Sequence, residues 1–209
     1  MATYHLTAPL SEETVRQLNV GDSVYISGPV FTCRSRLHRY VIDERHDFPA
    51  GVSGRNVLIH VGPIVLNEDG LWRLVSFMPT SSIRFEKWGA AAVKEWKLRM
   101  IIGKTTMGED TRKAMMEYGC VHVSPQCVSP NLWVDSIKID GVELFDELGT
   151  IEATWHMDLD ELGPFVVDMD TRGSNLYKAR EKEVDETGTG RCVSSASTPV
   201  LNIRSFINK

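Results

Sequence analysis

Three short stretches of the chain each set a cation among hydroxyl-bearing or glycine residues. They are Phe31-Thr-Cys-Arg34-Ser-Arg-Leu-His38, Pro79-Thr80-Ser81-Ser82-Ile-Arg84 and Ile101-Ile-Gly103-Lys104-Thr105-Thr106-Met107-Gly108. Each follows or ends an apolar run of strand-like character. In a chain of formal net charge −5, cations reserved for turn positions beside small residues suit a small anion. Arg grips a carboxylate through two parallel hydrogen bonds and Lys supplies a point charge, so Arg34, Arg84 and Lys104 together fit a molecule with two carboxylates. The competing reading is three solvated surface charges, the commoner fate of these residue types. Thr80, Ser81 and Ser82 equally suit the N-cap of a helix carrying Arg84, a use compatible with anion binding at the same helix start. His38, four residues after Arg34, would share its face on a helix and neighbour Arg34 or its ligand, or be an ordinary buried histidine. His60 and His122 fall inside strand-like runs and read as core or interface residues. Asp168 and Asp170, two residues apart, read as turn-entry residues rather than an acid–base pair.

These residues need positioning elements. The pattern predicts a short helix over Ser11–Leu18 with Ser11 as N-cap, a strand over Ser23–Phe31, and a helix over Leu37–Glu44 whose start aims free N–H groups at an anion. Asn56–Val61 and Leu71–Phe77 read as strands of a hairpin-like unit around Asn67-Glu68-Asp69-Gly70. Phe85, Trp88, Ala92 and Trp96 recur at helical spacing within Arg84–Trp96, a stripe that suits core or interface. A buried strand over Arg99–Ile102 and a helix over Gly108–Tyr118 closed by Gly119 come next. Cys120–Ser124 is a strand, Ser136–Leu144 an extended pair about Asp140-Gly141, and Ile151–Leu159 and Phe165–Met169 are separate strands. From Ala179 the sequence turns polar, so Glu181–Ser197 reads as a linker or tail, with apolar Pro199–Ile207 able to dock. Strands interleaved with helices make the chain α/β with a mixed sheet: one domain over residues 1–178 and a polar C-terminal tail over 179–209.

The bulk composition narrows the function. The acidic balance argues against nucleic acid as partner, and no apolar stretch approaches the roughly 20 residues that cross a bilayer. The N-terminus lacks a basic region followed by an apolar one, so a cytoplasmic location is expected. Cys33, Cys120, Cys127 and Cys192 form no C-x-x-C pair and fit no zinc or iron–sulfur spacing. They read as reduced thiols, and a metal centre, where the chemistry needs one, is expected on another chain.

The order and spelling of the motifs resemble the β subunit of two-subunit class I fumarate hydratases and L(+)-tartrate dehydratases, a unit that forms the C-terminal domain of single-chain relatives. The resemblance rests on Gly21-Asp-Ser-Val-Tyr-Ile-Ser-Gly28, Thr32-Cys-Arg34 with His38-Arg39, His60-Val-Gly-Pro-Ile-Val65, Pro79-Thr80-Ser81-Ser82-Ile-Arg84, Gly103-Lys104 with Met107, and Tyr118-Gly119. It continues through Glu147-Leu148-Gly149 with Trp155 and Asp170-x-x-Gly173-x-Asn175-Leu176, covering about Thr7 to Tyr177. It implies a swivelling β/β/α domain and a hydro-lyase that reversibly removes water from a small 2-hydroxy dicarboxylate. A [4Fe–4S] cluster would be carried by a partner α subunit in an (αβ)2 hetero-oligomer. By the same resemblance Arg34, Arg84, Lys104 and Ser81 would bind substrate, Thr80 would transfer or orient a proton, and His38 would support Arg34 or the substrate from behind. Two departures stand out. The family usually writes Gly-Pro-Thr-Thr-Ser where this chain has Met78-Pro79-Thr80-Ser81-Ser82, and Gly-Lys-Gly-Gly/Asn-Met where it has Gly103-Lys104-Thr105-Thr106-Met107. A β-branched residue tolerates positive φ poorly, so the Lys104 loop is expected to differ in shape or the pocket in what it accepts. Ser35 also replaces an aspartate after the first arginine. These changes motivate an alternative: a divergent, non-catalytic dicarboxylate-binding or regulatory subunit.

Overall fold

The computed structural model describes residues 1–126 and 129–187 of the chain. It opens with β1 (Thr3–Thr7), α1 (Glu12–Gln17), β2 (Ser23–Cys33) and α2 (Ser35–His38), which continues as a π-helical stretch over Arg39–Asp43. After β3 (Val57–His60) comes the hairpin of β4 (Ile64–Glu68) and β5 (Leu71–Ser76). A 3-10 turn, Ser82–Phe85, leads into α3 (Glu86–Glu95), then β6 (Met100–Ile102), α4 (Glu109–Tyr118) and β7 (Val121–Pro125). The described chain ends with β8 (Ile137–Glu143), α5 (Phe145–Leu148), β9 (Thr154–Met169) and α6 (Leu176–Thr187). Met1–Tyr177 form one compact unit, with residues from Lys178 grouped separately.

The main sheet runs β1-β2-β3-β6-β7-β9-β8, and β2 also pairs with β9. Five strands, β2, β3, β6, β7 and β9, therefore close into a ring. The pairs β1–β2, β2–β3, β3–β6 and β6–β7 are parallel. β9 is antiparallel to β2, β7 and β8, which makes the sheet mixed. β9 is the seam: it meets β2 from Ser23↔Val166 to Phe31↔His156, and its other edge serves β7 with one half and β8 with the other.

The pattern marked a break between Leu159 and Phe165, yet the chain continues as one sixteen-residue strand. Register shifts against β2 on both sides of Ile26 absorb the irregular residues, including Glu161 at φ 49°; bulges let a strand bend without ending. Asp140-Gly141 is likewise no turn but a register shift inside the single strand β8. The hairpin exists, but its first strand is Ile64–Glu68 rather than Asn56–Val61, because the turn is the two residues Asp69-Gly70 at φ 53° and 86°. Both central residues left-handed is the type I′ arrangement that fixes a tight register. Past Ala179 the polar stretch is helical to Thr187: it is rich in Lys, Arg and Glu, which favour helix without needing burial, and Arg180 pairs with Glu183 one turn on. Cys127, Cys192, most of the predicted Glu181–Ser197 linker and the docking segment Pro199–Ile207 lie outside the described residues.

Alternation along the strands sorts the core. Val57 and Ile59, Met100 and Ile102, Val121 and Val123, and Phe165 and Val167 lie in one apolar cluster, to which all five ring strands contribute. The intervening Phe31, Leu58 and Ile101 belong to a second cluster with Leu37 of α2, Trp88, Ala92 and Val93 of α3 and Met115 of α4. Strands buried on both faces read as continuous apolar runs, so a polar residue within them must find a partner. Ser11 caps α1 through the Thr14 N–H, and Gly119 ends α4 at φ 69°.

Candidate active site

In sheets of this kind ligands collect beyond the carboxyl ends of parallel strands, and the predicted site residues lie there. The β3–β6 ladder holds to Ile59↔Ile102 and then opens. Residues Thr80–Ser82 thread through the opening. The Thr80 N–H donates to the His60 carbonyl at 2.7 Å, the Lys104 N–H to the Thr80 carbonyl at 2.8 Å, and the Ser82 N–H to the Lys104 carbonyl at 2.9 Å. Ser81 bridges Lys104 in parallel fashion. Arg84 follows on the 3-10 turn, and its guanidinium donates to Thr80 Oγ1. Thr80 and Ser81 are half-buried and Arg84 and Lys104 exposed. Among the described residues no carboxylate pairs with Lys104 or Arg84. Gly103 is required: a Cβ there would lie 1.9 Å from Ser82 Oγ.

Arg34 stands just past β2, whose Cys33 pairs with His60. A Cβ on Gly62 would lie 2.7 Å from Arg34 Nη1, so that glycine leaves room for the guanidinium. Arg34 Nε lies 3.4 Å from the Glu152 carboxylate. The same carboxylate accepts the Arg36 N–H at 2.8 Å and the Ser35 hydroxyl at 3.4 Å. The free helix start expected after Arg34 is thus already occupied by a side chain of this protein. Glu86 treats α4 alike, accepting the N–H groups of Gly108, Asp110 and Thr111 and the Thr111 hydroxyl. The side-chain cations are left as the candidates for holding an added anion. The Lys104 loop also departs from expectation: Thr105 takes φ 64°, the left-handed region a glycine would fill, so the loop keeps that backbone despite its β-branched residue. The Asn175 amide donates to Thr106 Oγ1 at 2.9 Å, tying the Asp170-x-x-Gly173-x-Asn175 turn to this loop.

Behind the loops lies a buried polar chain. Ser81 makes no side-chain capping bond, and the Ser82 hydroxyl turns inward, 2.9 Å from His60 Nδ1 and 2.8 Å from His122 Nε2. His122 Nδ1 lies 2.7 Å from Asp168 Oδ2, to which the Ser124 hydroxyl also donates. His38 Nε2 lies 3.3 Å from His60 Nε2, and its ring stacks between Trp88 and Trp96. His38 therefore meets Arg34 only through the helical backbone bond from its N–H to the Arg34 carbonyl. Burial pushes the His38 imidazole down to about 3 and, with the neighbouring His38, His122 and Arg84 adding to the effect, holds His60 well below the usual histidine range. Asp170 is the turn-entry residue expected, accepting the Arg172 and Ser174 N–H groups. Asp168 is not, because it faces the helix-covered side of β9. The sequence carried a signal for this chain: His60 on β3, His122 and Ser124 on β7 and Asp168 on β9 occupy strand positions whose neighbours are apolar.

Cys33 and Cys120 are buried and unbridged, and burial raises both thiols far above their ordinary range. Among the described residues no three His, Cys, Asp or Glu side chains gather as a ligand set, so these residues do not fit an iron–sulfur cluster of their own. No described helix is long and apolar enough to cross a membrane.

The β3–β6 ladder opens to admit Thr80–Ser82, with Lys104 just past β6, Arg34 just past β2 and Arg84 on the following 3-10 turn, in an α/β domain with a mixed sheet. The Fumarase C-terminus family matches residues 2–180, and the chain belongs to it. It is 30% identical to the L(+)-tartrate dehydratase subunit beta of Escherichia coli (strain K12), the match covering 85% of this chain and 88% of that one. It is 31% identical to a protein of Methanocaldococcus jannaschii provisionally assigned the same name, covering 92% of it. It is 36% identical to a provisionally assigned class I fumarate hydratase of Geobacillus stearothermophilus, of whose length it spans 34%.

Proposed function

We propose that this chain is the β subunit of a hydro-lyase that reversibly removes water from a small 2-hydroxy dicarboxylate of tartrate or malate type. The observation that carries the reading is the Arg84–Thr80 pair and the Lys104 bridge held between β3 and β6. Arg84, Lys104 and Arg34, with Ser81, bind the carboxylates. Thr80 moves or orients a proton. A threonine hydroxyl is a very weak acid and needs a neighbour to act; the Arg84 guanidinium supplies one, stabilising negative charge as it develops on Oγ1. Because Arg84 donates to that oxygen, the Thr80 proton is directed away from Arg84. In this reading the domain is the swivelling β/β/α unit of class I fumarases and works in a cytoplasmic (αβ)2 assembly. Lewis-acid chemistry belongs to a [4Fe–4S] cluster on the α subunit.

A second reading is a dicarboxylate-binding subunit without turnover. The Glu152 carboxylate that already pairs with Arg34 favours it. The test is co-expression with an α partner and assay against tartrate, malate and fumarate. The first reading expects turnover by the complex and none by either chain alone, with Arg84→Ala lowering kcat/KM by about a hundredfold or more while assembly persists, the scale of losing a charged transition-state contact. Normal turnover in that variant removes Arg84 from the site, and a complex that binds tartrate without converting it supports the second reading.

A further inference from the structure

Ser82, His122 and Asp168 have the mutual geometry of a nucleophile, its base and an orienting carboxylate. They do not serve that purpose. All three are 0% exposed, and Ser82 Oγ is also engaged by His60, so no substrate reaches the hydroxyl. Taken with Asp168 as a carboxylate acceptor, the contacts run in one direction of hydrogen bonding. Asp168 Oδ2 accepts, so His122 Nδ1 carries the proton and Nε2 is bare. The bare Nε2 accepts a hydrogen bond from the Ser82 hydroxyl, and Ser82 Oγ accepts from His60 Nδ1–H. His60 Nε2 is then the acceptor for His38 Nε2–H. Two atoms of this polar chain are left buried without a partner, Asp168 Oδ1 and His38 Nδ1. In this direction His38 Nδ1 is a bare acceptor; in the reverse direction it would be an orphaned N–H.

The directed hydroxyl sits where it controls the site. Its own backbone N–H holds the Lys104 carbonyl, and Thr80, two residues earlier, is bonded to the His60 backbone. Its oxygen fills the space beside Gly103 in which a Cβ would lie 1.9 Å away. The Ser124 hydroxyl has one proton to share between two acceptors, Asp168 Oδ2 and, at 2.7 Å, the carbonyl of Thr105, the residue after Lys104.

We propose that Ser82 is a positioning residue: its hydroxyl, directed by His122 on Asp168 and by His60, sets where Thr80, Arg84 and Lys104 stand between β3 and β6. The proposal rests on the reading that those three residues handle the substrate. Two experiments test it separately from that reading. In the purified chain, imidazole nitrogen NMR is expected to find His60 and His122 as neutral Nδ1–H tautomers, with Asp168→Asn releasing His122 from that tautomer. A wild-type His122 protonated at Nε2 alone overturns the relay, whatever the enzyme does. In the αβ complex, Ser82→Ala is expected to lower kcat by roughly tenfold to a hundredfold, the cost of a displacement of about 1 Å at a reacting group. The double variant Ser82→Ala/Gly103→Ala moves the lost atom's volume across the gap without restoring a hydrogen bond. It is expected to regain thermal stability over Ser82→Ala but not kcat. Recovery of both reduces Ser82 to space-filling and ends the proposal. A wild-type complex without turnover would refute the hydro-lyase reading while the tautomer measurement still decides the relay.

Discussion

Arg34 and Lys104 occupy similar places, each just past the end of a parallel strand, and are held by opposite means. Arg34 is pinned by a charge: Glu152 sits 3.4 Å from its Nε, and both side chains are mostly buried. Lys104 has no carboxylate partner among the described residues and is held only through its backbone, by the Thr80 and Ser82 peptide groups. The first arrangement fixes a side chain and neutralises it. The second fixes a main chain and leaves the ammonium free. The comparison teaches that an exposed cation can be placed accurately without a counter-charge when the polar network that places it lies on the other side of the backbone.

The contrast gives graded predictions. On the proposed function, with Arg34 already paired to Glu152, Arg34→Ala should cost the αβ complex less than Arg84→Ala, about tenfold against a hundredfold in kcat/KM; equal losses would erase the distinction. Acid should attack the network side first. His38 and His60 have folded pKa values below the unfolded value of about 6.5, so the unfolded chain binds more protons across that window. Stability is then fully present above about pH 6.5 and falls as the pH drops towards the folded value, by about 1.4 kcal/mol per pH unit for each histidine that stays neutral. Urea midpoints between pH 6.5 and 5 should track this, with His38→Gln showing the shallower slope. Gly103→Ala should lose roughly 1–3 kcal/mol through overpacking against Ser82, read as a fall in Tm of several degrees. Thr105→Gly should gain about 1 kcal/mol by relieving a β-branched residue at positive φ; an unchanged Tm would mean that the loop holds no strain. Glu152→Gln leaves the mostly buried Arg34 without its charge partner and should cost about 1–3 kcal/mol of stability, yet on the proposed function it should lower the KM for a dicarboxylate, because Arg34 is released to bind it.

Much of this was legible in the sequence where local chemistry decides it. Ser11 caps and Gly119 terminates because side-chain oxygen and left-handed backbone act within one turn. The spacing of Trp88, Ala92 and Trp96 fixed the buried face of α3 in the same way. The cations' placement past strand ends could be read because Arg34 and Lys104 follow apolar runs directly. What escaped reading depends on long-range pairing. Gly163-Pro164 looks like a break until β2 and β7 hold β9 together from either side. Asp168 looks like a turn residue until His122 is paired opposite. Glu152 gives no sign, 118 residues along the chain from Arg34, that it occupies the helix start an anion was expected to reach. Thr105 breaks the local rule outright, as residues at functional sites do when surrounding structure overrides preference.

The strand seam has one consequence for the making of the protein. Every cation of the site is translated by residue 104, but the ring that fixes their bearing strands closes only through 154–169, and Asp168 is next to last in that stretch. Since a ribosome delivers the chain in order, the candidate site is among the last parts to set, and a nascent chain halted before residue 154 holds Arg34, Arg84 and Lys104 without the closed ring that places them.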